Sequence, residues 1–164
     1  MEVKTVGVYG AGFMGRGIAQ VALEGGYDVV LYNHRTPTLE KGVAGIQKNF
    51  AKKVAKGKIT QEQADQWLGR MKATTTLEDL KDVDIVFEAM VENMELKKEA
   101  FAKMAPVIQP NAIFVSNTSS LSITELAAAS QRPEKFLGMH FFNPVPAMKL
   151  VEIIKAYDTS EDTI

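Results

Sequence analysis

A doubly wound α/β fold, with a mostly parallel sheet and an inserted helical hairpin, is predicted by three observations. Apolar, β-rich runs alternate with helix-patterned segments along most of the chain. The first run reaches Tyr9 and passes straight into Gly10, Gly12 and Gly15 at G-x-G-x-x-G spacing, with the periodic apolar residues Ile18, Val21 and Ala22 following at once. Two helical patterns in succession, ending near Lys56-Gly57 and resuming at Thr60, then interrupt the alternation.

The strand, tight turn and helix around the glycines form a unit suited to a pyrophosphate. Gly10 permits the turn, Gly12 lets the backbone approach the phosphates, and Gly15 lets the new helix pack closely on the strand. The helix N-terminus adds unpaired N–H groups and a partial positive charge. Glycine-rich turns also occur with no ligand, but here both flanking elements stand where the mechanism requires them, which makes the unit Rossmann-type.

The remaining elements follow from local signals. Gly25-Gly26 stops the first helix, and Tyr27 to Tyr32 reads as the second strand. Thr36-Pro37 is an N-cap followed by proline at the first helical position, opening a long basic helix. Thr60 with Gln63 is a capping box for the helix carrying Trp67 and Leu68. Thr74 to Thr76 reads as a short third strand, with Thr76 capping a single turn before the strand Val83 to Glu88. A helix over Met94 to Met104, a strand over Ala112 to Ser116, a helix boxed by Ser122 and Glu125, and strands over Phe136 to His140 and Leu150 to Ile154 complete the pattern. Thr159-Ser160-Glu161-Asp162 has the signature of a helix N-terminus, and a helix beginning so near Ile164 is expected of a fragment of a longer polypeptide.

Bulk properties narrow the function. The 164 residues suffice for one domain with a real core, read as a dinucleotide-binding domain over 1–164. Nineteen basic and 20 acidic residues nearly cancel, so no general attraction for nucleic acid or anionic membrane is expected, and any anion must be captured locally. The absence of cysteine excludes disulfides, thiolate metal sites and cysteine nucleophiles, and no metal site is expected. With no signal-peptide pattern or membrane-length apolar run, the chain reads as cytoplasmic.

Ligands of open α/β sheets bind outside the carboxyl ends of the strands. That rule selects Glu88, the polar run Ser116-Asn117-Thr118-Ser119-Ser120, and the run His140-Phe141-Phe142-Asn143-Pro144. His140 is the natural acid/base, Glu152 on the next strand can hold its ring, and Ser119 can hydrogen-bond a reacting oxygen. Structural uses compete: His140 as a hydrogen-bonded strand-end residue, Asn117 to Ser120 as turn and cap groups, and Lys52 with Lys56 as a solvated basic face rather than an anion contact. Glu152 within an apolar strand is expected to be buried, and a buried carboxylate needs a partner. Hydride transfer would need a cofactor, because no side chain does that job.

The segments Gly10-Ala11-Gly12-Phe13-Met14-Gly15 with Gly17-Ile18-Ala19-Gln20, Val91-Glu92-Asn93, Ser116 to Leu121, and Gly138 to Pro146 with Lys149-Leu150-Val151-Glu152 closely resemble the L-3-hydroxyacyl-CoA dehydrogenase family, in particular its 3-hydroxybutyryl-CoA dehydrogenases. The resemblance covers nearly the whole chain, and its last two blocks are far more specific than the glycines. It implies that His140 is the general acid/base, Glu152 its paired carboxylate, Ser119 a hydroxyl or carbonyl ligand and Asn143 part of the same network. It further implies cofactor contacts at Gly10, Gly12, Phe13, Met14, Gly15, Glu92, Lys97 and Asn117, with Glu92 and Lys97 on the nicotinamide side, and a coenzyme A contact near Lys52 and Lys56. An acyl-CoA substrate and a homodimeric full-length protein are implied as well.

Two departures qualify this. The family usually ends its second strand with an acidic residue for the ribose hydroxyls, whereas this chain has Asn33, followed by His34 and Arg35, so NAD(H) or NADP(H) is expected as cofactor. The family's carboxyl-terminal helical domain, which completes the acyl-CoA cleft, is missing from the sequence. Two other readings stay open: a cofactor-binding module inactive alone, and a related hydroxyacid or sugar-acid dehydrogenase.

Overall fold

Each strong apolar run becomes a strand of one seven-stranded sheet. The computed structural model describes all residues 1–164. The elements are β1 (Thr5–Tyr9), α1 (Phe13–Glu24), β2 (Asp28–Tyr32), α2 (Thr36–Ala55), α3 (Gln61–Gly69), β3 (Met71–Thr74), β4 (Ile85–Glu88), α4 (Met94–Met104), β5 (Ile113–Ser116), α5 (Ile123–Ala129), β6 (Phe136–Phe141) and β7 (Val151–Lys155). The strand order is β3-β2-β1-β4-β5-β6-β7, with every pairing parallel except β6 with β7.

Residues that alternate along the strands face two separate cores. Val6, Val8, Val115 and Leu137 pack with Ile18, Leu23, Ile46 and Phe50 on the face covered by α1, α2 and α3. Val86, Phe114 and Phe136 pack with Phe101, Met104 and Leu126 beneath α4 and α5. Burial on both faces explains why these strands read as continuous apolar runs. The projecting hairpin is α2 and α3, whose Phe50 and Trp67 rings lie 5.1 Å apart.

The sheet is doubly wound, as predicted, and its strand order reverses between β1 and β4. The carboxyl ends of those two strands, Tyr9-Gly10 and Glu88-Ala89, therefore flank the crevice where such sheets take ligands. At the far end, antiparallel pairing sets His140 directly opposite Glu152.

Local signals held at Thr60 and Ser122, whose hydroxyls accept from Gln63 N at 3.1 Å and Glu125 N at 3.2 Å. Two differ from expectation. Thr36 is the first residue of α2, with Arg35 in the cap position and no side-chain cap bond. The third strand spans Met71–Thr74, and Thr74 rather than Thr76 accepts a backbone bond there, from Thr76 N at 3.0 Å. After β7, Thr159 donates to Phe136 O at 2.6 Å, and the cap signature shows at Ser160, whose hydroxyl accepts from Thr163 N at 3.2 Å and whose carbonyl accepts from Ile164 N at 3.3 Å. No helix is long and apolar enough to cross a membrane.

Gly15 packs against the glycine turn itself: a Cβ there would lie 1.7 Å from the carbonyl oxygen of Gly10. Gly15→Ala is expected to lower the unfolding free energy by at least about 3 kcal/mol, a Tm loss of roughly 6–12 °C. At Gly12 a Cβ meets nothing within 4 Å, so Gly12→Ala should leave Tm within about 2 °C, as for other substitutions away from packed features. Thermal unfolding followed by circular dichroism compares the two, and equal losses would contradict the assigned contacts.

Candidate functional site

The glycine turn leaves β1 with Gly10 at φ +118°, its N–H donating to Tyr32 O at 2.8 Å. Gly12 then opens α1, with its vacant Cβ direction aimed into free space. Asn33, at the end of β2, is mostly buried and braces this turn: its Oδ1 accepts from Ala11 N at 3.1 Å and its Nδ2 donates to Arg35 O at 3.0 Å. One lone pair and one N–H of that carboxamide remain for a ligand. A cleft of about 440 Å³ runs from Gly10 and Gly12 past Asn33 to the exposed His34 and Arg35.

On the other side of Gly12 lies a cleft of about 490 Å³ lined by Phe13, Met14, Glu92, Lys97, Asn117, Ser119, His140 and Asn143. It gathers, with the glycines, most of the residues singled out from sequence. Lys97 is fully buried at the start of α4 and donates to Glu88 Oε2 at 2.6 Å, with Glu92 Oε1 at 3.4 Å. Glu92 Oε2 in turn accepts from Ser119 N at 3.1 Å and Ser119 Oγ at 3.3 Å. Burial pushes the Glu92 carboxyl up, but hydrogen bonds from Thr118 and Ser119 and the Lys97 charge outweigh it and hold it below its ordinary range. Asn117 is an anchor here, its Oδ1 accepting from Phe141 N at 2.9 Å and so tying β5 to the strand that carries His140.

His140 Nδ1 lies 3.4 Å from Glu152 Oε2, at the long end of hydrogen bonding. A carboxylate accepts only, so this contact favours the Nδ1–H tautomer and leaves Nε2 without a protein partner. Phe142 packs edge-on against the imidazole, with centroids 4.6 Å apart. Glu152 is not the buried carboxylate the sequence suggested: its side chain is 57% exposed, because β7 is the edge strand and Glu152 faces outward. The pairing with His140 comes from cross-strand register instead.

A third cleft, of about 530 Å³, is lined by Lys52 and Lys56 with Arg16, Lys53 and Lys58, and by Pro144 to Ala147. Lys53 is neutralised by Glu24 at 2.6 Å, and no carboxylate lines the cleft. Close approach brings its two walls together, since a Cβ on Gly17 would lie 2.9 Å from the Val145 side chain. Gly12 borders the first two clefts and Phe13 the last two, so all three meet at the glycine turn.

Two residues of this site were missed. Arg16 stands beside Phe13, its guanidinium 5.1 Å from the ring centroid, and its signal was a cation in the first turn of the helix that follows the glycines. Glu88 was noted at its strand end but given no role; its signal was an acidic residue closing an apolar run.

The family described as 3-hydroxyacyl-CoA dehydrogenase, NAD binding domain, matches residues 5–164. The probable 3-hydroxybutyryl-CoA dehydrogenase of Deinococcus radiodurans is 48% identical over 157 residues, covering 96% of this chain and 56% of its own length. The 3-hydroxybutyryl-CoA dehydrogenase of Bradyrhizobium diazoefficiens is 48% identical over 161 residues, covering 98% and 55%. In structure, the (S)-3-hydroxybutyryl-CoA dehydrogenase PaaH1 of Ralstonia eutropha superposes with a TM-score of 0.96 at 43% identity, over 99% of this chain and 57% of that one. The chain thus spans about half the length of the curated relatives it matches. With a glycine turn open at Gly12, clefts on both sides of it and a match from residue 5 to residue 164, the chain belongs to the 3-hydroxyacyl-CoA dehydrogenase family, as its NAD-binding domain.

Proposed function

We propose that this chain is the dinucleotide-binding part of an enzyme that moves a hydride between a nicotinamide dinucleotide and C3 of a 3-hydroxyacyl-CoA or 3-oxoacyl-CoA of the 3-hydroxybutyryl-CoA type. The observation that carries the reading is the meeting of three clefts at Gly12 and Phe13. One suits an adenosine, the middle one holds an imidazole and hydroxyls, and the third is cationic, as an anionic coenzyme A would require. Gly12 fits the cofactor: its open Cβ direction is where the backbone must approach a pyrophosphate. A bound nicotinamide supplies the hydride acceptor or donor.

In the oxidising direction, neutral His140 takes the 3-hydroxyl proton at Nε2, and in reverse the imidazolium returns it. Glu152 holds the ring through Nδ1 and stabilises the imidazolium. Ser119 places a hydroxyl beside the reacting oxygen, and Asn143 adds a carboxamide to the same wall. In this reading the protein is cytoplasmic and, at full length, dimeric, with residues 1–164 as its dinucleotide domain.

Calorimetric titration of the chain with NAD, NADP and acetoacetyl-CoA tests the proposal. Dinucleotide binding is expected, and Gly12→Val should abolish it, since a branched side chain would fill the pyrophosphate's space. Unchanged affinity in that variant would remove the turn from the site. Inhibition by coenzyme A separates this reading from a hydroxyacid or sugar-acid dehydrogenase, and turnover by the isolated chain would exclude an inactive binding module.

In an active full-length form, His140→Gln should lower kcat by about 100- to 10,000-fold with little change in cofactor affinity. Glu152→Gln should cost as much or less, because it acts through the imidazole. Steady-state kinetics with parallel binding measurements decide, and normal turnover in Glu152→Gln would end the paired role.

Cofactor choice turns on Asn33, which lacks the charge that repels a 2′-phosphate. With Arg35 and His34 at the rim of the same cleft, appreciable NADP(H) binding is expected. Asn33→Asp should shift preference toward NAD, and Arg35→Ala should weaken NADP(H) selectively by roughly 1.5–3 kcal/mol. Equal losses for both dinucleotides in Arg35→Ala would mark Asn33 as a neutral stand-in within an NAD site.

A further inference from the structure

Glu88 is the one carboxylate among the buried residues, and the proposed reaction gives it no role. All its partners are donors: Lys97 Nζ at 2.6 Å and Met90 N at 2.8 Å on Oε2, and Ser116 Oγ at 2.7 Å on Oε1. The Ser116 oxygen accepts from Thr118 N at 3.3 Å, which leaves its proton for Glu88. Three donors and no acceptor are what an ionised carboxylate requires.

Lys97 is the only cation in contact with Glu88, and it is shared with Glu92 at 3.4 Å. Glu92 and Lys97 line the 490 Å³ cleft and Glu88 lies buried directly behind Lys97, so two carboxylates around one ammonium leave one surplus negative charge beside it. His140 is the other titratable side chain in that wall, and its nearest charged partner, Glu152, is also acidic. No second cation lines this cleft, whereas the neighbouring one gathers five.

We propose that the cluster of Glu88, Lys97 and Glu92 biases the redox state of the bound cofactor, favouring the cationic nicotinamide of the oxidised dinucleotide over the neutral ring of the reduced one. The inference rests on the hydride-transfer reading and adds to it a residue, Glu88, that acts through Lys97. Gain of a hydride removes the ring's positive charge and leaves the phosphates unchanged. A fixed charge beside the ring therefore enters the ratio of the two affinities directly. In an effective dielectric of about 20, an uncompensated unit charge near the ring biases the ratio by about tenfold or more. Glu88 is the positioning residue of the set, because its second oxygen, held by Ser116, keeps Lys97 from being centred on Glu92 alone.

The test measures Kd for NAD⁺ and for NADH on the chain and on Glu88→Gln and Glu92→Gln, each of which removes one negative charge with little change in shape. In Glu88→Gln the affinity for NAD⁺ should fall about tenfold relative to that for NADH. Equal weakening of both forms, the outcome of a purely structural role, overturns the proposal. Should Glu88→Gln not fold, the same relative shift is required of Glu92→Gln, and an unmoved ratio there overturns it. A wild-type chain that binds neither form defeats the hydride-transfer reading as well. Binding of both with ratios unmoved in the variants defeats the charge bias alone.

Discussion

The site depends on a backbone contact: α1 can begin where it does only because Gly15 lets its first turn lie on the carbonyl of Gly10. Any side chain there would push the helix off the turn, and its N-terminal N–H groups would no longer converge beyond Gly12. From this contact the rest of the geometry follows along α1. Two residues further on, Gly17 lets Val145 and Pro146 close against the helix, so the segment after His140 is docked on α1. The segment that follows the imidazole is thereby held against a rigid helix.

The opposite wall is held by charge. Glu88, at the end of β4, ties the strand to α4 through Lys97 and to β5 through Ser116. Such a buried pair is costly to break, at about 3–5 kcal/mol when one partner is lost, and adds little net stability over an apolar pair. Its persistence at a cleft wall thus points to use at the site. Arg132 shows the contrasting, structural solution on the far side of α4: its guanidinium donates to the carbonyls of Ala105, Ile108, Gln109 and Ala112, with its charge over the Phe114 ring. Burial holds Arg132 below its ordinary range, yet every group around it is an acceptor and none opens to a cleft.

The fold was legible because its signals were local and redundant. Glycine spacing named the first turn, capping residues marked α3 and α5, and apolar runs buried on both faces marked the central strands. The edges were less legible. Met-Lys-Ala-Thr carries one large apolar side chain, so β3 was displaced toward the threonines that follow it. Glu152 was read as buried because its neighbours are apolar, but an edge strand can turn apolar residues outward, and Ile153 is itself 57% exposed. In the site, the residues near His140 were legible as a strand-end run. The tie between Glu88 and Lys97 was not, since it joins a strand end to a helix across nine positions and only the course of the chain brings them together.

Near-neutral net charge conceals a sorted surface at the centre of the molecule. Anions cannot be drawn by the whole protein, because 19 basic and 20 acidic residues nearly cancel. They can be drawn by the cleft of Arg16, Lys52, Lys56 and Lys58, where only Lys53 is spent on an internal carboxylate. The neighbouring cleft has the opposite balance once the buried Glu88 behind its wall is counted, since Glu88 and Glu92 share Lys97. Phe13, 54% exposed and bordering both, separates the two fields with an apolar ring. Opposite fields on the two sides of one aromatic side chain make the surroundings of the glycine turn electrostatically asymmetric. Placement of charge therefore distinguishes the clefts as much as their shape does.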